Sequence, residues 1–294
     1  MVISGALAVS CRHAARVGIL LRQNPCMTTR CVSSGVTEHQ MEVNGASIHY
    51  KKAGTGALPV LLLPGALGSS DTDFSPQLEG LNRNHLTVIA WDPRGYGKSR
   101  PAERNFSAKF FDVDAKDAVD LMKKIGFQKF SLLGWSDGAI TALIAASRYA
   151  SVIDRLVVWG GNAYVTADDV QMYEATRDIS KWSERMRAPM IKVYGDEFEK
   201  IWNAWMDGII NTYYHGNNGD ICKKNLCDVK CPTLIVHGEK DAMVPMFHAD
   251  YLHANIKGSR LVKWSDGKHN LHLRYAEKFN KLVLDFLLEG RDHS

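Results

Sequence analysis

The sequence has none of the features that mark a membrane-spanning protein, a fibre or a disordered chain. Its 294 residues contain no apolar run near the roughly 18 residues of a membrane-spanning helix, because the longest candidate, residues 58–67, includes two prolines and a glycine. Apolar residues make up 45% of the chain and charged residues 23%, as in ordinary globular proteins. A chain of this length buries roughly three-quarters of its unfolded surface, so we expect a large core and no membrane partner.

Motifs that bind metals or nucleotides are also absent. The chain contains no H-E-x-x-H, no P-loop G-x-x-x-x-G-K-[ST] and no dinucleotide-binding G-x-G-x-x-G, which predicts neither a metal nor an organic cofactor. The cysteines are irregularly spaced and never form C-x-x-C, so we expect reduced thiols rather than a zinc site or a disulfide framework. They are Cys11, Cys26, Cys31, Cys222, Cys227 and Cys231.

Acidic residues are missing from the first 37 positions, which hold four arginines, Arg12, Arg16, Arg22 and Arg30. The whole chain has 36 basic and 32 acidic residues. Without those arginines it is neutral and lacks the basic face that a nucleic-acid partner needs. We predict a mitochondrial transit peptide at residues 1–37, and a mitochondrial location. A secretory signal fits less well because arginines flank the short apolar stretch 17–21, and a disordered tail is the other alternative.

Six short apolar runs predict the strands of a parallel sheet. Each is continuous rather than alternating, which is typical of a strand buried on both faces. The runs are 59–63, 86–91, 130–134, 156–159, 233–237 and 260–264. Ahead of them, residues 42–52 alternate in polarity around Asn44-Gly45, which predicts an opening hairpin with a type I′ turn.

Helical periodicity between these runs predicts a doubly wound, mostly parallel α/β sheet. The predicted helices are 108–125, 139–149, 247–256 and 274–288. The interval 163–225 breaks the alternation, because it is helical, rich in tryptophan and too long for a bare connection. We therefore predict a helical cap at 163–225, over the carboxyl ends of the strands, inserted into a core of residues 38–162 and 226–294. A separate helical domain with no role in the site is the alternative.

The sequence Gly134-Trp135-Ser136-Asp137-Gly138 follows a predicted strand and opens a predicted helix. This is the context of the G-x-S-x-G nucleophile elbow, in which small residues allow a sharp turn that exposes the serine hydroxyl. The helix N-terminus directs free N–H groups toward a developing oxyanion. Ser136 is therefore the predicted nucleophile, and the N–H of Asp137 is one predicted oxyanion donor. We expect the second donor in segment 64–68, from Ala66 or else from Leu67.

Two further residues complete a Ser-His-Asp triad. Asp241 and His269 each come just after a predicted strand, at the edge where open α/β sheets place ligands, and the chain order serine, acid, histidine is that of this architecture. His269 is predicted to take the Ser136 proton as its oxygen attacks an ester carbonyl, while Asp241 holds the imidazole in its working tautomer. We interpret four other histidines as structural or surface residues: His237, His248, His253 and His272.

From about residue 42 onward, these motifs resemble the α/β-hydrolase superfamily. The resemblance includes the segments 61–65, 92–97, 237–241 and 267–272, besides the elbow and the cap segment 180–185. Within the superfamily, the motifs closely resemble a branch of serine hydrolases that cleave α-amino-acid esters, including nucleoside prodrugs. The resemblance implies the α/β-hydrolase fold, the triad Ser136, Asp241 and His269, and a small-molecule ester substrate. We expect the protein to be a monomer.

Asp137, an acid directly after the nucleophile, is the clue to specificity. A carboxylate in the first turn of a helix is favourable by about 0.3–1 kcal/mol, which would be a purely structural explanation. Yet a negative charge beside the oxyanion opposes catalysis unless a cation lies nearby, and a substrate with a free α-ammonium group supplies one. We interpret Asp137 as the residue that binds this ammonium group, and the resemblance implies the same role.

Other functions stay open at this point. A carbon–carbon bond hydrolase of the ring-cleavage type is disfavoured because its substrates are anionic and Asp137 would repel them. A general carboxylesterase needs no ammonium site, and a non-catalytic binding module would not need a complete triad. Epoxide hydrolases and dehalogenases of this fold are excluded, since they require an aspartate where Ser136 stands.

Overall fold

Nine strands form a single sheet in the computed structural model, which describes residues 30–32, 35–100, 103–107 and 109–291. In chain order they are β1 (Arg30–Val32), β2 (Val36–Val43), β3 (Ala46–Ala53), β4 (Leu58–Leu63), β5 (Leu86–Trp91), β6 (Phe130–Trp135), β7 (Ile153–Trp159), β8 (Thr233–Gly238) and β9 (Arg260–Trp264). Across the sheet the order is β1-β2-β3-β5-β4-β6-β7-β8-β9. The pairs β1–β2, β2–β3 and β3–β5 are antiparallel, and the other five pairs are parallel. The predicted mostly parallel, doubly wound sheet is confirmed.

Local sequence explains both the hairpin and the buried strands. β2 and β3 are joined at Asn44 and Gly45, whose φ angles of 47° and 77° are those of a type I′ turn, as predicted. Every residue of β5 and β8 is buried, since helices cover both faces of the parallel part. All six predicted parallel strands are present, and β7 begins earlier than expected.

Ten α-helices lie in the described ranges. They are α1 (Ser70–Asp73), α2 (Ser75–Gly80), α3 (Phe110–Ile125), α4 (Asp137–Arg148), α5 (Ala167–Ala175), α6 (Glu184–Tyr194), α7 (Phe198–Gly208), α8 (Met246–Asn255), α9 (Leu271–Arg274) and α10 (Ala276–Leu288). The predicted helix 108–125 is α3, which ends at Gly126 in the left-handed conformation. Its predicted first residue, Ala108, lies outside the described residues. α4 begins at Asp137 rather than at 139, directly after the elbow serine.

Between β7 and β8 the described chain forms helices and no strand. We call residues 163–225 the inserted segment. It contains α5, α6, α7 and a π-helix, Ile209–His215. Its tryptophans pack on one another: the ring centroid of Trp202 lies 4.9 Å from that of Trp182 and 4.8 Å from that of Trp205. The expected boundary at 225 falls within the 3-10 helix Lys223–Asp228, so the division into cap and core stays a prediction.

The predicted leader, residues 1–37, lies mostly outside the described residues. Its last part is described, however: β1 pairs with β2, and Val36 is buried in the core. The predicted end at residue 37 therefore falls inside a paired strand, and a core that began at 38 would lose Val36. The transit peptide itself stays a prediction. Within the described ranges, no helix has the length and apolar character needed to cross a membrane.

Candidate active site

Ser136 lies at a sharp turn between β6 and α4. Its φ of 54° and ψ of −119° place a non-glycine residue in a strained region that is common at functional sites. The glycines on either side permit the turn, because a Cβ on Gly134 would come within 2.3 Å of the Gly138 carbonyl oxygen, and one on Gly138 within 2.0 Å of the Leu63 oxygen. The predicted nucleophile elbow is therefore enforced by backbone contacts.

The three predicted triad residues meet at the carboxyl edge of the sheet, after β6, β8 and β9. Ser136 Oγ lies 3.1 Å from His269 Nε2, and His269 Nδ1 lies 2.8 Å from Asp241 Oδ2. These are hydrogen-bonding distances, so the hydroxyl can donate to the imidazole while the opposite ring nitrogen donates to the carboxylate. The side chains are 133 and 28 positions apart in sequence.

Asp241 is held as a carboxylate. Burial opposes its ionisation, but the charge and hydrogen bond of His269 and the backbone N–H of Val244 outweigh burial and keep the pKa of Asp241 below its ordinary value. Its Oδ1 accepts from the N–H groups of Met243 and Val244 at 2.9 and 3.0 Å. The second oxygen is thereby left for His269, which fixes the orientation of the imidazole.

The elbow also positions the histidine. Trp135 Nε1 donates to the backbone oxygen of His269 at 2.9 Å, and the two rings are 5.3 Å apart. Gly160, just beyond β7, allows the imidazole to approach, since a Cβ there would be 3.0 Å from His269 Cε1. The nucleophile and the base are thus tied together through the residue preceding Ser136.

The predicted oxyanion donors belong to two segments, one that follows Ser136 in the chain and one that packs against it. No acceptor within the described part of the chain takes the N–H groups of Ala66, Leu67 or Asp137. Segment 64–68 packs directly on the nucleophile, because a Cβ on Gly65 would lie 3.3 Å from Ser136 Cβ. Free N–H groups next to the hydroxyl are what a developing oxyanion requires.

Asp137 is buried, with 7% of its surface exposed. Burial raises the pKa of Asp137 to about 7, although the hydrogen bond from Trp205 and the charge of Arg104 act in the opposite direction. Trp205, on α7 of the inserted segment, donates its Nε1–H to Asp137 Oδ2 at 2.7 Å. The carboxylate therefore stands in a site of low polarity where a cationic partner gains the most.

Arg104 is a buried cation that no sequence motif indicated. Its Nη1 donates to Asp114 Oδ1 at 2.9 Å, and its guanidinium lies 4.0 Å over the ring of Tyr96. These three residues and Asp137 line one small cavity behind the elbow. Trp205 was also missed as a site residue, because neither its position nor that of Arg104 follows a motif.

The remaining histidines and the loop after β5 have structural partners. His272 accepts from Trp159 Nε1 at 2.9 Å, and His248 contacts Asp169 at 3.0 Å. Asp92 accepts from the Lys98 N–H at 2.8 Å, which fixes the glycine-containing loop. In the described ranges, no cluster of three His, Cys, Asp or Glu side chains could hold a metal ion.

Comparisons with known proteins agree with this fold. Residues 59–189 match a family model described as alpha/beta hydrolase fold, and residues 217–293 match one described as TAP-like protein. Serine hydrolase BPHL of Homo sapiens is 58% identical over 255 residues, which cover 86% of this chain and 87% of that protein. A 2-hydroxy-6-oxononadienedioate/2-hydroxy-6-oxononatrienedioate hydrolase of Pseudomonas putida is 30% identical and covers 82% and 91%.

Solved structures share the fold. A serine hydrolase involved in carbazole degradation (CarC) matches with a TM-score of 0.70 and 24% identity, covering 86% of this chain and 98% of that one. A meta-cleavage product hydrolase (CumD) matches with a TM-score of 0.69 and 21% identity, covering 85% and 98%.

The sheet, the elbow and the three aligned side chains are those of a serine hydrolase. The chain belongs to the α/β-hydrolase family, in the branch of the serine hydrolase BPHL, the biphenyl hydrolase-like protein or valacyclovir hydrolase. The resemblance that the motifs indicated is thereby confirmed.

Proposed function

We propose that this serine hydrolase cleaves esters of α-amino acids, including nucleoside-analogue prodrug esters such as valacyclovir. The observation that carries the proposal is the buried carboxylate of Asp137 next to the nucleophile. The identity with the BPHL proteins supports the same substrate class. Ser136, Asp241 and His269 are the proposed catalytic residues, and Asp137 the proposed substrate-binding residue.

The geometry supports an acyl-enzyme mechanism. His269 Nε2 accepts the Ser136 proton as Oγ attacks the ester carbonyl, and Asp241 stabilises the imidazolium that forms. The N–H of Asp137 and that of Ala66 or Leu67 stabilise the oxyanion, each contributing roughly 10²–10³ in rate. His269 then returns the proton to the leaving alcohol, and water repeats the cycle on the acyl-enzyme.

Electrostatics explain why the ammonium group matters. Ionised Asp137 beside a developing oxyanion would repel it, and Arg104 compensates only in part because Asp114 already neutralises that guanidinium. A substrate α-ammonium adds a positive charge between the acid and the reacting carbonyl. A charge-assisted hydrogen bond contributes about 1.5–3 kcal/mol, which corresponds to roughly 10- to 150-fold in kcat/KM.

The second candidate is hydrolysis of a carbon–carbon bond in a ring-cleavage product. It is favoured by the Pseudomonas putida relative, which is named as a hydrolase of 2-hydroxy-6-oxononadienedioate. Such a dianionic substrate would meet the buried carboxylate of Asp137, which disfavours it. A general carboxylesterase is the third hypothesis.

We also infer that the protein acts on small molecules as a monomer, without nucleic-acid or membrane partners.

A substrate series tests the proposed function. Three esters with one leaving group are compared: an α-aminoacyl ester, its N-acetyl derivative and the analogue with hydrogen in place of the amine. We expect kcat/KM to be roughly 10- to 150-fold higher for the free amine. Equal values for all three would favour a general carboxylesterase, and faster turnover of a 2-hydroxy-6-oxodienoate would favour the ring-cleavage reaction.

The pH dependence of the preference for aminoacyl esters should follow the ionisation of Asp137. Because its pKa is raised to about 7, the group is mostly neutral at about pH 5.5 and ionised above 7, so preference for the aminoacyl ester is expected to rise through about pH 7. It should fall again as the substrate amine, with a pKa of about 7.7–8.0, loses its proton.

The measured quantity is the ratio of kcat/KM for the aminoacyl ester to that for its amine-free analogue. This ratio cancels groups that act on both substrates, such as Asp73, whose pKa is also raised to about 7 by burial. A ratio that stays constant between about pH 5.5 and 8 would contradict the role of Asp137.

A further inference from the structure

Leu67 has a backbone conformation that leucine rarely adopts. Its φ is 56°, and its side chain is buried with 1% exposed. The Gly68 N–H donates to the Gly65 oxygen at 3.0 Å and closes a four-residue turn, which we call the oxyanion loop, residues 65–68. A positive φ at the third residue with a negative φ at the second defines a type II turn, whose third position favours glycine or asparagine.

The strained conformation determines the direction of the Leu67 N–H, one of the two candidates for the second oxyanion donor. Type I and type II turns differ by a flip of the central peptide, which here carries the N–H of Leu67 and the carbonyl of Ala66. Were Leu67 to relax to a negative φ, that peptide would turn over and the N–H would point the opposite way. The oxyanion loop therefore needs outside contacts to keep its central peptide oriented, because the left-handed region is unfavourable for a non-glycine residue.

Two contacts restrain the loop, and they come from different parts of the fold. Asp73 Oδ2, at the end of α1 in the core, accepts from the Gly65 N–H at 3.0 Å. Tyr194, the last residue of α6 in the inserted segment, donates its hydroxyl to the Leu67 oxygen at 2.7 Å. The first contact fixes the beginning of the loop, and the second acts on the strained residue itself.

Tyr194 is itself well fixed. It is buried with 3% exposed, and its hydroxyl accepts from the Gly97 N–H at 3.3 Å while it donates to Leu67. Its ring centroid lies 6.4 Å from that of Phe198, and the guanidinium carbon of Arg100 lies 5.2 Å from the same ring centroid. The hydroxyl therefore acts as acceptor and as donor at once. A phenylalanine at this position would leave the buried Leu67 carbonyl without its hydrogen-bond donor.

We propose that Tyr194 is a positioning residue for the oxyanion loop, so that the inserted segment completes the machinery of hydrolysis. The proposal rests on the assignment of the Leu67 N–H as the second oxyanion donor, but not on the identity of the substrate. Since Tyr194 acts through Leu67 rather than through Asp137, its effect falls equally on esters with and without an amine.

The first test is Tyr194→Phe, assayed on an aminoacyl ester and on its amine-free analogue. We expect kcat to fall about 5- to 30-fold on both substrates with KM changed less than about two-fold, because the loss concerns the transition state. Tyr214→Phe is the matched control, since this half-buried tyrosine of the same segment has no hydrogen bond to the oxyanion loop among those of the described residues; its kcat should stay within about two-fold. A KM effect, or a loss confined to the aminoacyl ester, would overturn the proposal.

The second test separates positioning from general destabilisation. Glycine adopts a positive φ without strain, so in a Leu67→Gly background the turn no longer depends on Tyr194. Adding Tyr194→Phe to that background is expected to lower kcat by less than about three-fold. An equal loss in both backgrounds would show that the hydroxyl acts elsewhere and would overturn the proposal. Leu67→Asn, which also tolerates this conformation, serves the same comparison if the glycine variant does not fold.

These measurements stay informative if the proposed substrate class is wrong. A failure of the ammonium hypothesis would show as equal rates for the amine-bearing and amine-free esters of the unsubstituted protein. A failure of the Tyr194 hypothesis would show as an unchanged kcat of Tyr194→Phe on whichever ester is turned over.

Discussion

Ser136→Ala is expected to lower kcat/KM for every ester at least about 10⁴-fold, because it removes the atom that forms the acyl-enzyme. His269→Ala should lose about as much, and the double variant little more, since the hydroxyl and the imidazole 3.1 Å from it act as one unit. Residual activity above the uncatalysed rate would come from the oxyanion donors and substrate binding.

Covalent labelling provides the second measurement. A fluorophosphonate should label the unsubstituted protein at Ser136 and should leave Ser136→Ala unlabelled. Ser147→Ala is the matched control on the same helix, since Ser147 Oγ contacts Asn225 rather than the site; it should keep both labelling and activity. Labelling of Ser136→Ala, at unchanged stoichiometry, would mean that another residue is the nucleophile.

Asp137→Asn is expected to lower kcat/KM for aminoacyl esters roughly 10- to 150-fold, which is the contribution of a charge-assisted hydrogen bond. Esters without the amine should lose little or gain, because a negative charge beside the oxyanion is removed. The asparagine oxygen can still accept from Trp205 Nε1, which donates to Asp137 at 2.7 Å. This variant therefore removes the charge and keeps the packing.

Asp137→Ala should shift selectivity in the same direction but with a cost in stability. It leaves the buried N–H of Trp205 without its acceptor, which destabilises by about 1–3 kcal/mol. Thermal denaturation distinguishes this effect from the loss of recognition, since Asp137→Asn should have a Tm near that of the unsubstituted protein. Equal losses on both types of ester in the asparagine variant would remove Asp137 from substrate recognition.

Residue patterns predicted the parallel part of the sheet because its strands are continuous apolar runs. β8, residues 233–238, is buried at every position, and such a run has few other structural explanations. The positions of Ser136, Asp241 and His269 followed from the same pattern, since each comes directly after a strand and parallel strands end at one edge. Short elements such as α1 and β1 were not predicted, because three or four residues are too few to show a periodic pattern of apolar residues.

The residues around Asp137 and Leu67 could not be predicted, for a different reason. Trp205 contacts Asp137 across 68 positions, and Tyr194 contacts Leu67 across 127. Neither pair belongs to a local motif, so only the folded arrangement of the inserted segment brings them together. The left-handed conformation of Leu67 has no signal either, because leucine is not a turn-forming residue and tertiary contacts impose the angle.

Trp205 and Tyr194 lie on the same inserted segment, yet Trp205 contacts the acid that we propose to bind the substrate, and Tyr194 contacts the loop that we propose to stabilise the oxyanion. A chimera that receives another relative's insertion would therefore change turnover number as well as substrate preference. Libraries aimed at new ester substrates should vary the other positions of the inserted segment while keeping this indole and this phenol constant.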